Sequence, residues 1–124
     1  QYTSGSTAKP KGVMVSHGNL LHNLHAIQKA ADLSEKDLTV CWLPTYHDMG
    51  LIGGILEALY SNYPVKLISP LAFLQRPAVW LEAITHYRAT GTVAPNFAYD
   101  LCVDRITEYE KCQLDLSSLK IVMT

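Results

Sequence analysis

The sequence predicts an α/β fold of alternating βα units on a mostly parallel sheet. Short β-branched apolar runs recur at 38–43, 65–68, 92–94 and 120–123, and stretches with the 3.6-residue apolar period of a helix separate them. Polar and proline-bearing loops follow the runs. At 124 residues the chain lies in the single-domain size range and is long enough to bury a core. Its formal net charge of −1 and the lack of any basic stripe argue against a nucleic-acid partner. The three cysteines, Cys41, Cys102 and Cys112, are odd in number and form no C-x-x-C pair, so they read as small buried hydrophobes in a reducing compartment. The longest apolar stretch, 51–60, is broken by Glu57 and too short to span a bilayer, which predicts a cytoplasmic protein without an integral membrane segment. The chain opens on Gln1 and closes on the apolar run 121–124, which predicts a segment of a longer protein, cut at both ends.

Taken in order, residues 13–15 read as a short strand leaving an N-terminal loop. Ser16 then caps a helix over 18–31 whose face is Leu20, Leu24, Ile27 and Ala31, with His22 and His25 on solvated sides. The run 38–43 has the continuous apolar character of a strand covered on both faces, and Pro44 ends its ladder. Leu51, Ile52, Ile55, Leu56 and Leu59 make the next helical face, and 65–68 returns as a strand. Pro77 suits the first turn of a helix carrying Trp80, Leu81, Ile84 and Tyr87 on one side. After the strand 92–94, Asn96 is a candidate cap for a helix with Phe97, Leu101, Cys102 and Ile106 inward, and 120–123 is the last strand. Trp42, Trp80 and the tyrosines at helical spacing read as core.

Residues 2–12 hold the densest chemistry. Ser4, Ser6 and Thr7 offer hydroxyl donors, Lys11 offers charge, and Gly5 and Gly12 let the backbone approach a ligand and turn away, a composition suited to a polyphosphate. The ordinary P-loop is excluded, because Lys11 precedes Gly12 and Val13 follows where that pattern requires Lys-Ser or Lys-Thr. The bland alternative is a solvated Ser/Gly/Lys hairpin. A second polar group, Tyr46-His47-Asp48, follows the strand 38–43 at its carboxyl end, where open α/β sheets bind ligands. A lone histidine in such a loop is otherwise structural, and a triad of Ser4, His47 and Asp48 is disfavoured because no nucleophile elbow surrounds Ser4.

The loop reads Tyr2-Thr3-Ser4-Gly5-Ser6-Thr7-Ala8-Lys9-Pro10-Lys11-Gly12 and resembles the phosphate-binding signature of the adenylate-forming superfamily, departing from it at Ala8, where that family usually has Gly. Trp42-Leu43-Pro44-Thr45-Tyr46-His47-Asp48-Met49-Gly50 resembles the family's His-x-x-Gly region in its fatty acyl-AMP ligase form. The blocks at 69–77 and 95–101 are similar to the same branch. The resemblance covers almost the whole chain and corresponds to part of the family's large N-terminal domain, so 1–124 is expected to be a partial AMP-binding (adenylation) domain. The family's magnesium-holding Glu, ribose-binding Asp, hinge and C-terminal Lys belong to later motifs that these residues do not include, and the segment alone is not expected to complete catalysis.

The resemblance implies that a fatty acid carboxylate attacks the α-phosphate of ATP, with Mg2+ balancing charge, to give acyl-adenylate and pyrophosphate. The acyl group then passes to the phosphopantetheine arm of an acyl carrier protein or of a polyketide or peptide synthase module. It also implies roles: Thr3, Ser4, Gly5, Ser6, Thr7 and Lys11 around the phosphates, Lys11 and His47 in catalysis, His47, Asn96 and Phe97 toward the acyl group, and Thr7 as the one residue here expected near the metal. Phe97 reads equally as plain core. The alternatives are an acyl-CoA synthetase, or a binding module that keeps the fold without catalysis, prompted by Ala8. An amino-acid adenylation domain is less well matched at 46–50.

Overall fold

The computed structural model describes residues 2, 3 and 10–124. A two-residue antiparallel ladder comes first, β1 (Tyr2–Thr3) on β2 (Lys11–Gly12), with Tyr2 opposite Gly12 and Thr3 opposite Lys11. The strand expected at 13–15 does not form: the ladder ends at Gly12, and Met14 beyond it is 97% exposed. Helix α1 (His17–Ala31) begins as expected at Ser16, in a reciprocal capping box. The Ser16 Oγ accepts the Asn19 N–H at 3.1 Å, and Asn19 Oδ1 accepts the Ser16 N–H at 3.0 Å. Leu24 is buried, Leu20, Ile27 and Ala31 are half-buried, and His22 and His25 are exposed.

The central sheet runs through β3 (Thr39–Cys41), β4 (Val65–Leu67), β5 (Gly91–Val93) and β6 (Ile121–Met123), all parallel, in the order β4-β3-β5-β6. β3, β4 and β6 each lie inside their expected runs and are shorter, while β5 begins one residue before the expected 92–94. β3 and β5 are buried along their whole length, which is why their residues are apolar or small on both faces. Thr39 and Thr92 are the polar residues in them, and the Thr92 hydroxyl is satisfied twice: it accepts the Trp80 indole N–H at 2.9 Å and donates to the Val40 carbonyl at 2.8 Å. Asp37 fixes the other end. Burial alone would raise its pKa, but the Ser34 N–H, the Thr90 and Ser34 hydroxyls and Lys120 outweigh that and hold it below its ordinary value.

One face of the sheet carries the segment expected as an ordinary helix. It is π-helical over Met49–Leu56 and continues into α2 (Glu57–Ser61), where the Glu57 N–H bonds the Ile52 carbonyl five residues back. A π turn holds more residues than an α turn, so a face drawn at the α period drifts off the sheet: Leu59 is 73% exposed, while Glu57 is fully buried. Glycine lets this segment lie against β3, since a Cβ on Gly54 would stand 2.7 Å from the Cys41 sulfur. Tyr63 and Ala58 pack there with Leu33.

The other face carries α3 (Pro70–Gln75), α4 (Ala78–Tyr87), α5 (Asn96–Arg105) and, at the rim, α6 (Glu108–Lys111). The sequence reading placed no helix at α3 or α6, whose few residues give too little periodicity to detect. Trp80 and Ile84 are buried as expected, whereas Tyr87 is 43% exposed beneath the Lys66 ammonium, which stands 4.7 Å from its ring centroid. In α5, Pro95 takes the capping position expected for Asn96, its extended backbone and carbonyl starting the helix through the Ala98 N–H. The inner face of α5 is Ala98, Cys102 and, just past its end, Ile106, so Phe97 stands aside from it at 53% exposure. Cys41 and Cys102 are buried and burial pushes the Cys102 thiol up to about 11, but Cys112 is exposed, against expectation. Among the described residues no helix is long and apolar enough to cross a membrane.

Candidate active site

The strand order creates the site. From β3 the chain moves to β4 on one flank, and from β5 it moves to β6 on the other, so the connections leaving β3 and β5 diverge and open a crevice at their carboxyl ends. A groove of about 410 Å³ occupies that place, lined by Trp42, Leu43, Pro44, Tyr46, His47 and Met49 after β3, by Pro95 and Phe97 after β5, and by Pro70 and Leu74 of α3. Its walls are apolar apart from the His47 imidazole and the Tyr46 hydroxyl.

Trp42 belongs to the core and to the groove at once. Its ring stacks on Phe73 with centroids 3.9 Å apart and meets Trp80 and Phe97 edge-on at 6.2 and 6.1 Å. Such aromatic pairs contribute about 0.5–1.5 kcal/mol each beyond burial. The sequence reading counted Trp42 as core only. Its position directly after β3, two residues before Pro44, was the available sign that one face would look into the crevice.

His47 is held by the turn that leads into the π-helical segment. Its N–H donates to the Pro44 carbonyl at 3.1 Å, its carbonyl accepts the Leu51 N–H at 2.9 Å, and its Nδ1 accepts the Met49 N–H at 3.2 Å. The side chain is exposed and lines the groove. Asp48 opens instead to a separate groove of about 330 Å³ with Val13, Val15, Leu20, Leu51, Ile52 and Leu56, so neighbours in sequence serve different surfaces. That divergence leaves His47 without a carboxylate relay from Asp48.

The remaining expected residues are placed unevenly. Phe97 lines the groove, while Asn96 is exposed in the first turn of α5 and is not among the lining residues. Lys11 is exposed on β2, opposite the Thr3 backbone. Ser4, Gly5, Ser6 and Thr7 lie outside the described residues, as does Ala8. No three His, Cys, Asp or Glu side chains converge among the described residues.

The whole chain, residues 1–124, matches the model of a family described as AMP-binding enzyme. It is 46% identical over 118 residues to the medium-chain-fatty-acid–[acyl-carrier-protein] ligase JamA of Moorena producens, covering 95% of this chain and 20% of that protein. The corresponding ligase TtuA of Teredinibacter turnerae is 45% identical over 121 residues, covering 98% of this chain and 19% of that protein. In three dimensions the chain superimposes with a TM-score of 0.93 on the crystal structure of a fatty acyl-adenylate ligase from L. pneumophila in complex with acyl adenylate and pyrophosphate. That match is 52% identical in sequence and covers 98% of this chain and 22% of the other. The chain thus spans about a fifth of the length of these relatives.

Proposed function

The chain belongs to the AMP-binding enzyme family, and from that premise we propose that it forms part of a fatty acyl-AMP ligase, within the larger N-terminal domain of such an enzyme. The observation that carries the proposal is the groove at the switch point: an apolar trough with an imidazole and a phenol as its polar groups accepts a molecule with a long apolar body and one polar head. A fatty acid has that shape. Its chain would lie against Trp42, Met49, Leu74 and Phe97, with its carboxylate at His47.

The reaction joins a carboxylate oxygen to the α-phosphorus of ATP and expels pyrophosphate, so two anions must be brought together. The main lever is fixed positive or hydrogen-bonding groups aimed at the oxygens. We assign that work to Lys11 and His47, with Thr3, Ser4, Gly5, Ser6 and Thr7 around the β- and γ-phosphates. Asn96 is retained as a secondary candidate at the acyl end. Mg2+ is expected to travel with the triphosphate. The acceptor of the acyl group is proposed to be the phosphopantetheine arm of an acyl carrier protein, as the names of the ligases of M. producens and T. turnerae state for those proteins. A cytoplasmic location belongs to the same reading.

The test is exchange of labelled pyrophosphate into ATP by the intact protein carrying this chain, across fatty acids of different length. Coenzyme A and a holo carrier protein are then offered separately. Exchange followed by loading of the carrier alone supports the acyl-AMP ligase, and thioester on free coenzyme A makes it a synthetase. Absence of exchange with every acid would leave a fold kept for binding.

A further inference from the structure

Trp42 and Trp80 are both buried, and they are held in different ways. The Trp80 indole N–H donates to the Thr92 hydroxyl at 2.9 Å, while the Trp42 indole N–H has no hydrogen-bond partner among the described residues. A buried indole ordinarily finds an acceptor, and that bond fixes its tilt. For Trp42 the task falls to ring contacts.

Those contacts are unequal. Phe73 is fully buried and lies flat on Trp42, with centroids 3.9 Å apart and ring planes within 14° of parallel. Trp80 and Phe97 meet Trp42 edge-on at 6.2 and 6.1 Å, and Phe97 does so from the rim, where it is 53% exposed. A flat stack engages the whole ring and an edge contact only a few atoms, so Phe73 does most to set the tilt. Phe73 is itself backed by Trp80, which meets it edge-on at 5.6 Å. The hydrogen bond at Thr92 thus fixes Trp80, Trp80 backs Phe73, and Phe73 backs Trp42. Within α3 the next residue, Leu74, lines the groove, whereas Phe73 does not.

We propose that Phe73 is a positioning residue for the acyl chain: it touches no substrate, and by fixing the tilt of the Trp42 ring it sets the depth of the groove and so the length of acid accepted. The inference rests on the ligase reading above and deepens it. An apolar groove discriminates chains by whether their last methylenes fit, and one methylene more or less is worth roughly 10–200-fold in kcat/KM. Discrimination of that size needs a wall that does not yield. A smaller side chain at 73 frees space behind Trp42, on the side away from the groove, so the ring tips back and the groove deepens.

The test uses the intact protein and fatty-acid-dependent pyrophosphate exchange across a series of straight-chain acids. In Phe73→Leu the optimum is expected to move to longer acids, and kcat/KM for the wild-type optimum to fall about tenfold, mainly through KM. KM for ATP should stay within about twofold of wild type. Phe73→Met fills more of the space but offers no flat face, and should shift the profile in the same direction by less. Ile84→Val trims the same buried core on α4, away from the groove lining, and should keep the wild-type order of acids. An unchanged optimum in both Phe73 variants, or an equal shift in Ile84→Val, would overturn the proposal. A second readout does not need activity. With tryptophan replaced by 5-fluorotryptophan and the Trp42 signal identified by its loss in Trp42→Phe, the 19F line of Trp42 should be single and narrow in the wild type and broadened or doubled in Phe73→Leu. A line equally narrow in both would show that Trp42 is held without Phe73. If the wild-type protein exchanges with no acid, the ligase reading fails, while the fluorine spectra still decide whether Phe73 fixes Trp42.

Discussion

Glu57 shows how far one residue can depart from its usual habit. It is fully buried, its Oε1 accepts the Ser61 hydroxyl at 2.7 Å, and its Oε2 has no hydrogen-bond partner among the described residues. Burial raises its pKa above the ordinary 4.5, and the Ser61 hydroxyl offsets only part of that. The sign of the linkage follows. Below 4.5 the carboxyl is neutral whether the chain is folded or unfolded and burial of charge costs nothing. As the pH rises through 4.5 toward the higher folded value, the unfolded chain ionises first, and stability declines. Glu57→Gln keeps the acceptor for Ser61 and cannot ionise. Its urea midpoint should exceed that of wild type at pH 7.5, with the gap narrowing as the pH is lowered toward 4; a gap that stays constant with pH would show that Glu57 is not stabilised in its neutral form. By contrast, the buried thiols of Cys41 and Cys102 are neutral at ordinary pH whether buried or not, so burial leaves no comparable pH dependence near neutrality.

At the scale of the element, the π-helical segment is defined by what glycine permits. Gly54→Ala sets a methyl 2.7 Å from the Cys41 sulfur in a buried position, an overpacking expected to cost about 1–3 kcal/mol. Adding Cys41→Ala removes the sulfur and should recover part of that loss, so a double-mutant cycle by denaturant titration should show strong coupling. Simple additivity would mean that the segment does not rest on β3 through that contact. Gly50→Ala should lack any comparable side-chain rescue, because what it meets is the backbone of Pro44. These glycines also mark where the sequence was legible and where it was not. The alternation of runs gave the parallel strands, and Ser16 with Asn19 gave the start of α1, because both signals are local. The same local reasoning put the exposed Leu59 on the inner face and left the buried Glu57 out of it, since an α period was applied to a π segment, and it missed Trp42 in the groove, since the crevice exists only once β5 lies beside β3. The phosphate-binding roles of Thr3, Ser4, Gly5, Ser6 and Thr7 rest on the sequence pattern alone.

At the scale of the molecule, the sheet divides the proposed labour. The aromatic layer of Trp42, Phe73 and Trp80 supports the groove from one face, the π-helical segment packs on the other, and His47 stands where the two meet at the end of β3. Lys11 comes from β2, which belongs to a separate ladder. If the acyl chain lies in the groove and the phosphates at the N-terminal loop, the two substrates should respond to different substitutions. Phe97→Ala removes one wall of the groove and should raise KM for the fatty acid and reorder the preference among chain lengths, while KM for ATP stays near wild type. Lys11→Ala removes a charge-assisted hydrogen bond of roughly 1.5–3 kcal/mol and should lower the exchange rate by about one to two decades for every acid, without reordering them. Steady-state exchange with a series of acids and with varied ATP separates the two. A Phe97→Ala enzyme with altered ATP affinity and an unchanged acid profile would remove the groove from the acyl site and leave its aromatic floor as packing alone.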